Sequence, residues 1–581
     1  MFEYLCLRIK EVGVRSIHGV PGDFNLTALD YVKKCGLQWV GNCNELNAGY
    51  AADGYARVNG ISALMTIMGV GELSALNALA GSFAEFVPVI HIIGMPSSHA
   101  QRDRLCLHHT YGDGDFDVFW QMSASVSCMT VALDCPLTAP DLIDKAIEAC
   151  SIRSQPVCLL IPADLIRAPV SMYPLTNDPL DLEIPQNDVS NETALVDAIM
   201  RQLALSQNSV LLVGGQYSVR HSSTGMGEEV LALVETLRIP VLTSASGKGI
   251  IDESHPLYAG LYVGSCSDHP VQDLIESADL IISIGNIQSD LATAGVSGRI
   301  DSSKMIDLQR DLTYVRGVLF ANLYVKPILQ MLVARKAKGT CSSFSGPMRR
   351  GVGEIILKET PKRTCGSWLG SIFLPAKSDP IRHDWLWPVL GSWLRNGDVI
   401  LAEAGTTSFG IWKTTFASGT TFISQYLWAS IGFTVGACQG AALAVRDSPN
   451  PHRRTILFVG DGSLQLGCQE LSTMIRHGLK PIIFVICNNG YTIERLISGP
   501  DEAYHDIQPW DYCKLPAVFG ARPNQYRSYQ VRTKDQLRHL LAQKSFGDCP
   551  VLQVVELHIP QEDAPASLIT VTQALKNCNK G

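Results

Sequence analysis

The sequence predicts an α/β protein of three domains, each a parallel sheet flanked by helices. Short, continuously apolar segments rich in β-branched residues alternate along the chain with segments of helical periodicity. Strands that are apolar along their whole length are buried on both faces, as in parallel sheets covered by helices. A chain of 581 residues is also long enough for three or four domains of about 150 residues each.

The predicted strands fall into three groups along the chain. They are SALMTIMG, PVIHIIG and VCLLIPA, then SVLLVGG and DLIISIG, and finally DVILAEAG, TILFVGDG and PIIFVICN. A segment rich in proline and asparagine, YPLTNDPLDLEIPQNDVSNET, predicts a linker after the first group. A second linker is expected where the sequence loses periodicity and becomes rich in Lys, Arg, Ser and Gly. We therefore predict domains at residues 1–172, 190–335 and 382–581, with 336–381 as a long linker.

Composition argues against several classes of protein. With 46% hydrophobic and 18% charged residues, the chain can fill large cores and does not resemble a disordered protein. The net charge of −8, with no basic stripe along any predicted element, argues against a nucleic-acid partner. No apolar run is long enough to span a bilayer, and the start, MFEYLCLRIKEVG, lacks the apolar segment of a signal peptide. The 17 cysteines are scattered without a C-x-x-C pair, so we expect a cytoplasmic protein with reduced thiols.

Two predicted strands of the third domain end in clusters of glycine and polar residues. The first ends in Gly460-Asp461-Gly462 and the second in Asn488-Asn489-Gly490. A carboxylate, an amide carbonyl and a glycine carbonyl are hard oxygen ligands that suit Mg²⁺, which takes its remaining ligands from water and phosphates. Each cluster alone is more typical of an ordinary turn. Both together, each after a strand, favour a metal site that binds a diphosphate.

The first domain carries a second set of candidate site residues. Glu45 lies near the start of a predicted helix with Asn44 as its cap, where a carboxylate is often only a capping or surface acid. Asp23 closes a loop after an apolar run, and His108 and His109 precede a loop of Gly and Asp. Adjacent histidines are by themselves more often structural than catalytic. The motif GVGEL predicts a helix start that either binds an anion or forms a tight turn.

Eight motifs occur in the order, and at roughly the spacings, found in fungal pyruvate decarboxylases, and the chain resembles this family over nearly its whole length. The motifs are HGVPGDFNL, NELNAGYAADGYAR, GVGEL, LHHTYGDGDF, EAGTTSFGI, LWASIGFTVGA, GDGSLQL and NGYTIE. The resemblance implies a pyrimidine-binding domain, a middle domain and a diphosphate-binding domain, in this order. It also implies thiamine diphosphate and Mg²⁺ as cofactors, and active sites between the subunits of a homotetramer.

The resemblance also implies a role for each matching residue. Glu45 corresponds to the acid that hydrogen-bonds the pyrimidine ring of the cofactor. The implied metal ligands are Asp461, Asn488 and Gly490. The polar cluster that would bind the 2-oxo acid and move protons comprises Asp23, His108, His109 and Glu494, in addition to the catalytic Glu45. The other implied cofactor contacts are Thr406, Ala429, Ser430, Ile431, Gly462, Ser463, Asn488, Asn489, Gly490, Tyr491, Thr492 and Ile493.

Several positions depart from the pattern of the family. Cys487 stands where asparagine is usual, Ala404 where threonine is usual, and Ala429 where glycine is usual. Ala429 keeps the backbone carbonyl contact to the cofactor that the resemblance implies, but adds a methyl group near the expected cofactor ring. Ala404, together with Leu291 where many relatives carry phenylalanine, predicts a pocket with room for larger 2-oxo acids.

The sequence therefore predicts an enzyme that decarboxylates a 2-oxo acid without oxidation, with pyruvate as the first choice. The alternatives are decarboxylation of a larger aryl or branched 2-oxo acid, and carboligation to an acyloin in a biosynthetic pathway. A third alternative, a catalytically idle relative, is disfavoured because the implied polar catalytic residues are all present. We expect a small-molecule substrate and no nucleic-acid or membrane partner.

Overall fold

The computed structural model of the protein describes residues 1–215, 226–295, 300–337 and 379–578. Three sheets flanked by helices confirm the predicted fold class, and the eight apolar segments all form strands. Most of the predicted linker at 336–381 lies outside the described residues, although residues 336 and 337 still belong to a helix. No helix in the described ranges is both long and apolar enough to cross a membrane.

The first sheet consists of six parallel strands. They are β1 (Ser16–Gly19), β2 (Gln38–Trp39), β3 (Ser62–Ile67), β4 (Val89–Met95), β5 (Met129–Ala132) and β6 (Val157–Pro162). Their order across the sheet is β2-β1-β3-β4-β6-β5. The helices of this part of the chain are α1 (Phe2–Glu11), α2 (Leu26–Lys34), α3 (Glu45–Asn59), α4 (Val70–Ala84), α5 (Ser98–Arg102), α6 (Asp117–Ala124), α7 (Ala139–Arg153) and α8 (Tyr173–Asn177).

The middle sheet is parallel except at one edge. Its strands are β7 (Ser209–Val213), β8 (Val241–Ser244), β9 (Tyr258–Tyr262), β10 (Leu280–Ile284), β11 (Met305–Leu308), β12 (Leu312–Val315) and β13 (Val318–Ala321). Strands β11, β12 and β13 pair antiparallel, so this sheet is mainly rather than entirely parallel. The helices of this part are α9 (Val189–Leu205), α10 (Gly227–Leu237), α11 (His269–Ser277) and α12 (Val325–Ala337).

The third sheet again has six parallel strands. They are β14 (Val399–Ala402), β15 (Thr421–Ile423), β16 (Thr455–Gly460), β17 (Ile482–Cys487), β18 (Tyr526–Val531) and β19 (Leu552–His558). The order β15-β14-β16-β17-β19-β18 repeats that of the first sheet strand for strand. Its helices are α13 (His383–Trp393), α14 (Thr406–Gly410), α15 (Phe433–Asp447), α16 (Asp461–Gln465), α17 (Glu470–Arg476), α18 (Thr492–Ser498), α19 (Leu515–Val518), α20 (Lys534–Ala542), α21 (Lys544–Gly547) and α22 (Ala566–Cys578).

Side-chain caps set where two of these helices begin. Asn44 Oδ1 accepts a hydrogen bond from the backbone N–H of Asn47 at 2.8 Å, which confirms the predicted cap of α3. Asp188 Oδ1 accepts from the N–H of Asn191 at 2.9 Å and so starts α9. Helix α9 therefore begins within the segment YPLTNDPLDLEIPQNDVSNET, one residue before the predicted start of the middle domain at 190.

Helices α3 and α15 pack so closely that glycines form the contact. A Cβ on Gly54 would lie 2.1 Å from the carbonyl oxygen of Ala437, and a Cβ on Gly440 would lie 1.8 Å from the carbonyl oxygen of Ala51. The two helices hold equivalent places, since each lies between the second and third strands of its domain. This contact joins the first and third domains within one chain.

The close packing predicts that Gly440→Ala destabilises the protein by about 3 kcal/mol, because the added methyl group meets backbone that cannot give way. Gly436→Ala on the same helix is the matched comparison with a milder clash, because its Cβ would lie 2.8 Å from the Cβ of Tyr50 and 2.9 Å from the carbonyl oxygen of Asn47, against 1.8 Å at Gly440. The measurement is the midpoint of urea unfolding. A Gly440→Ala variant no less stable than Gly436→Ala would contradict the packing.

Candidate active site

Three oxygen atoms converge where strands β16 and β17 end. The strands are parallel neighbours, with Gly460 opposite Ile486, so the residues that follow them leave the same edge of the sheet. Asn488 Oδ1 lies 3.2 Å from Asp461 Oδ1 and 3.3 Å from the carbonyl oxygen of Gly490. Neighbouring oxygens around Mg²⁺ are about 3 Å apart, so this spacing fits a cation between them. Rotating the Asn488 amide would instead bring its NH₂ group to both oxygens, as suits the site without a cation.

Asp461 is buried and held by backbone N–H groups. Its Oδ1 accepts from Gly462 at 2.9 Å, and its Oδ2 accepts from Asn488 at 3.0 Å and from Asn489 at 2.7 Å. Burial raises the pKa of this carboxyl, while the N–H groups oppose that rise. The carboxylate is therefore fixed in position by the protein itself.

Some of the predicted cofactor contacts of the third domain lie beside this cluster, and others follow strands of the same sheet. A Cβ on Gly462 would lie 2.7 Å from the ring of Tyr491, so these two residues touch. Asn488 Nδ2 donates to Thr492 Oγ1 at 2.7 Å. Other predicted contacts lie in the first turns of the helices that follow β14, β16 and β17: Thr406, Ser463 and Ile493.

Asp23, His108 and His109 form a polar cluster in the first domain. One ligand atom of each residue lies within 4.8 Å of those of the other two, and His108 Nε2 is 3.0 Å from Asp23 Oδ2. Phe24 stacks on His108 with 5.1 Å between ring centroids. The left-handed φ of 63° at His109 accompanies a contact between the two successive imidazoles, whose centroids are 4.5 Å apart. The structure thus brings these three predicted residues together.

Glu45 begins helix α3 and lies against the motif GVGEL. A Cβ on Gly71 would lie 2.9 Å from Glu45 Oε1, so this glycine makes room for the carboxyl group. Glu72 Oε2 accepts from the N–H of Gly69 at 3.4 Å. Because the side chain of Glu72 occupies this helix start, the structure favours the tight turn over the anion site.

We call the first-domain cluster and the third-domain residues two half-sites. In the described ranges, no hydrogen bond or ion pair joins Asp23, His108 or His109 to Glu494. Glu494 is exposed on the first turn of α18, and the side chains of Asp23 and His108 are 51% and 57% exposed. Ile431, one of the predicted cofactor contacts, is also exposed.

Glu85 was not predicted as a site residue, but it hydrogen-bonds to the segment that leads to Ala429. Glu85 Oε1 accepts from the backbone N–H groups of Tyr426 and Leu427, each at 3.0 Å. Its Oε2 pairs with Arg57 of helix α3 at 3.0 Å. The sequence carried no local signal for this role, because Glu85 and Tyr426 are 341 positions apart.

Glu403 is a second residue whose role was not predicted, although it lies in the motif EAGTTSFGI. Its buried carboxyl group accepts from the N–H of Ala404 at 3.0 Å, and from the N–H and Oγ1 of Thr434 at 3.1 and 2.6 Å. Burial raises the pKa of Glu403 to about 7, against the lowering by these hydrogen bonds. Glu403 therefore ties the end of β14 to the first turn of α15, just after Ile431.

Known proteins that resemble this chain place it in a family. Three family models match in order: the N-terminal TPP binding domain of the thiamine pyrophosphate enzymes at residues 1–117, their central domain at 196–318, and their C-terminal TPP binding domain at 403–552. The chain belongs to the thiamine pyrophosphate enzyme family. The predicted thiamine diphosphate cofactor is thereby confirmed.

Several fungal pyruvate decarboxylases match nearly the whole chain, which confirms the predicted resemblance. A pyruvate decarboxylase of Aspergillus terreus is 49% identical over 99% of this chain and 97% of its own length. One of Aspergillus fumigatus is 47% identical over 100% of this chain and 97% of its own. Pyruvate decarboxylase isozyme 1 of Saccharomyces cerevisiae is 42% identical over 98% of this chain and 96% of its own.

The buried Glu403 predicts a specific dependence of stability on pH. Its folded pKa, about 7, lies above the usual value for the unfolded chain, so its contribution is complete below about pH 4.5 and is lost as pH rises toward 7. The loss is on the order of 3 kcal/mol. Glu403→Gln cannot ionise. The melting temperature of the wild type should therefore fall relative to that of Glu403→Gln as the pH rises from 5 to 7.5.

The exposed Glu494→Gln variant is the control for removal of a carboxylate, and its melting temperature should follow the wild type across the same range. A constant difference between wild type and Glu403→Gln at every pH would show that Glu403 does not titrate in this window.

Proposed function

We propose that the protein is a non-oxidative 2-oxo acid decarboxylase that uses thiamine diphosphate and Mg²⁺ and converts pyruvate to acetaldehyde and CO₂. The convergence of three oxygens at Asp461, Asn488 and Gly490 carries this proposal, because it supplies the cation site that a diphosphate needs. The relatives named pyruvate decarboxylase, which match nearly the whole chain, support pyruvate as the substrate.

The residues at the two half-sites fit this cofactor. When bound, thiamine diphosphate supplies the electron sink that a 2-oxo acid needs to release CO₂. Asp461, Asn488 and Gly490 would hold Mg²⁺. Glu45 would hydrogen-bond the pyrimidine ring. The residues that we assign to the diphosphate, the ring and the bend of the cofactor are Thr406, Ala429, Ser430, Ile431, Gly462, Ser463, Asn489, Tyr491, Thr492 and Ile493.

The polar cluster of Asp23, His108 and His109 would deliver the proton that the reaction needs. Loss of CO₂ leaves the former carboxyl-bearing carbon one proton short of an aldehyde, so the protein must deliver a proton there. His108 Nε2 and Asp23 Oδ2, 3.0 Å apart, can hold that proton between them and pass it on. A protonated imidazole of His108 or His109 would also attract the carboxylate of the substrate. We assign Glu494 to the same chemistry from the third domain.

We further propose a homotetramer with active sites between subunits. The exposure of Asp23 and His108, and of Glu494 and Ile431, supports this, since a second copy of the chain would cover both half-sites. We place the protein in the cytoplasm. The 14 cysteines whose side chains the structure describes are free thiols, as is usual in a reducing compartment.

The function predicts release of CO₂ and aldehyde in equal amounts from pyruvate, without uptake of oxygen. A panel of pyruvate, 2-oxobutanoate, 2-oxoisovalerate and phenylpyruvate tests it, with Mg²⁺ and thiamine diphosphate present. His108→Gln should lower kcat by about 100-fold or more, because a positioned acid–base group contributes that much. If the enzyme prefers phenylpyruvate, the assignment of pyruvate as the substrate is wrong, but the assignment of the decarboxylation reaction stands.

His99→Gln is the matched control, since His99 forms a similar exposed pair with Asp103 at 3.0 Å outside the proposed site. It should keep full activity. The proposal is wrong if no acid of the panel yields CO₂, or if His108→Gln is as active as His99→Gln.

A further inference from the structure

Ala429 occupies a backbone conformation that glycine adopts easily and alanine does not. Its φ is 51°, in the left-handed region, where the Cβ of an L-residue crowds the backbone. A free alanine prefers the right-handed and extended regions by a factor of about ten, whereas glycine populates both signs of φ about equally. Something in the fold must therefore hold Ala429.

One side chain bonds to both neighbours of Ala429. Asn77 Oδ1 accepts from Trp428 Nε1 at 2.9 Å, and Asn77 Nδ2 donates to Ser430 Oγ at 3.2 Å. Asn77 Nδ2 also lies 3.0 Å from the hydroxyl oxygen of Tyr50, which is itself 2.7 Å from Ser430 Oγ. The residues before and after the left-handed turn are thus fixed to helices α3 and α4 of the same chain.

Helix α4 is shaped for this contact. Asn77 and Gly81 are four residues apart and so lie on one face of the helix. A Cβ on Gly81 would lie 2.9 Å from Trp428 Cδ1, so the absent side chain lets the indole approach. Glu85, one turn further, accepts from the backbone N–H groups of Leu427 and Trp428. The first domain thus braces a turn that belongs to the third.

We propose that Asn77 and Tyr50 are positioning residues that hold Ala429 in its left-handed conformation, so that its carbonyl stays aimed at the cofactor. The inference rests on the proposed contact between Ala429 and thiamine diphosphate. Without the two side chains, only about a tenth of the molecules would keep the turn. The apparent Kd of the cofactor would then rise about tenfold, since it scales inversely with the competent fraction.

The test is a double-mutant cycle. Its first change combines Asn77→Ala with Tyr50→Phe, and its second change, Ala429→Gly, removes the backbone strain at residue 429. The Kd of thiamine diphosphate is measured by isothermal titration calorimetry at saturating Mg²⁺ for the first change in the wild-type background and in the Ala429→Gly background. We expect the Kd to rise about tenfold in the wild-type background and about twofold in the Ala429→Gly background. The kcat of the cofactor-saturated enzyme should change less than the Kd.

Ser74→Ala is the control on helix α4, because the Ser74 hydroxyl donates to Val70 O of its own helix, and the change should leave the Kd as it is in the wild type. An equal rise of the Kd in both backgrounds, or no rise in either, overturns the inference. The proposed function still stands in that case, provided that the wild-type protein binds thiamine diphosphate. A wild-type protein that binds no thiamine diphosphate overturns both.

Discussion

The contact between helices α3 and α15 is the constraint on which the arrangement of the half-sites depends. Glycines at this contact let backbone meet backbone, at Gly54 against Ala437 and at Gly440 against Ala51. Glycine in a helix costs about 1 kcal/mol relative to alanine, so the close approach must offset that cost at two positions. Glu45 begins α3 and Ile431 closely precedes α15, so the contact fixes where both residues lie.

One topology serves two chemical tasks in the first and third domains. Both sheets have the same strand order, yet one presents exposed acid–base groups and the other a buried oxygen cluster. Asp23 is half exposed beside His108, where a proton can be exchanged with solvent. Asp461 is buried among backbone N–H groups, which hold it in place for its proposed role as a Mg²⁺ ligand. Burial and neighbours, rather than residue type, separate the roles of these two aspartates.

Local patterns in the sequence predicted the strands, the cap at Asn44 and the grouping of Asp461 with Asn488, because each depends on residues close in sequence or on strands that end at one edge. Other features depend on distant partners. Glu85 meets Tyr426 across 341 positions, and Asn77 meets Trp428 across 351. The antiparallel edge of the middle sheet was likewise not predicted, because apolar strands do not indicate their direction in a sheet. The left-handed φ of Ala429 was not predicted either, because alanine rarely adopts it.

The proposed Mg²⁺ site is the oxygen cluster at the ends of β16 and β17, which would anchor the cofactor. Its most direct test is calorimetric titration of cofactor-free protein with thiamine diphosphate, with and without Mg²⁺, for wild type and Asp461→Ala. The account predicts tight, Mg²⁺-dependent binding by the wild type and its loss in the variant, with the far-UV spectrum unchanged. Mg²⁺-dependent binding of equal affinity in Asp461→Ala would contradict it.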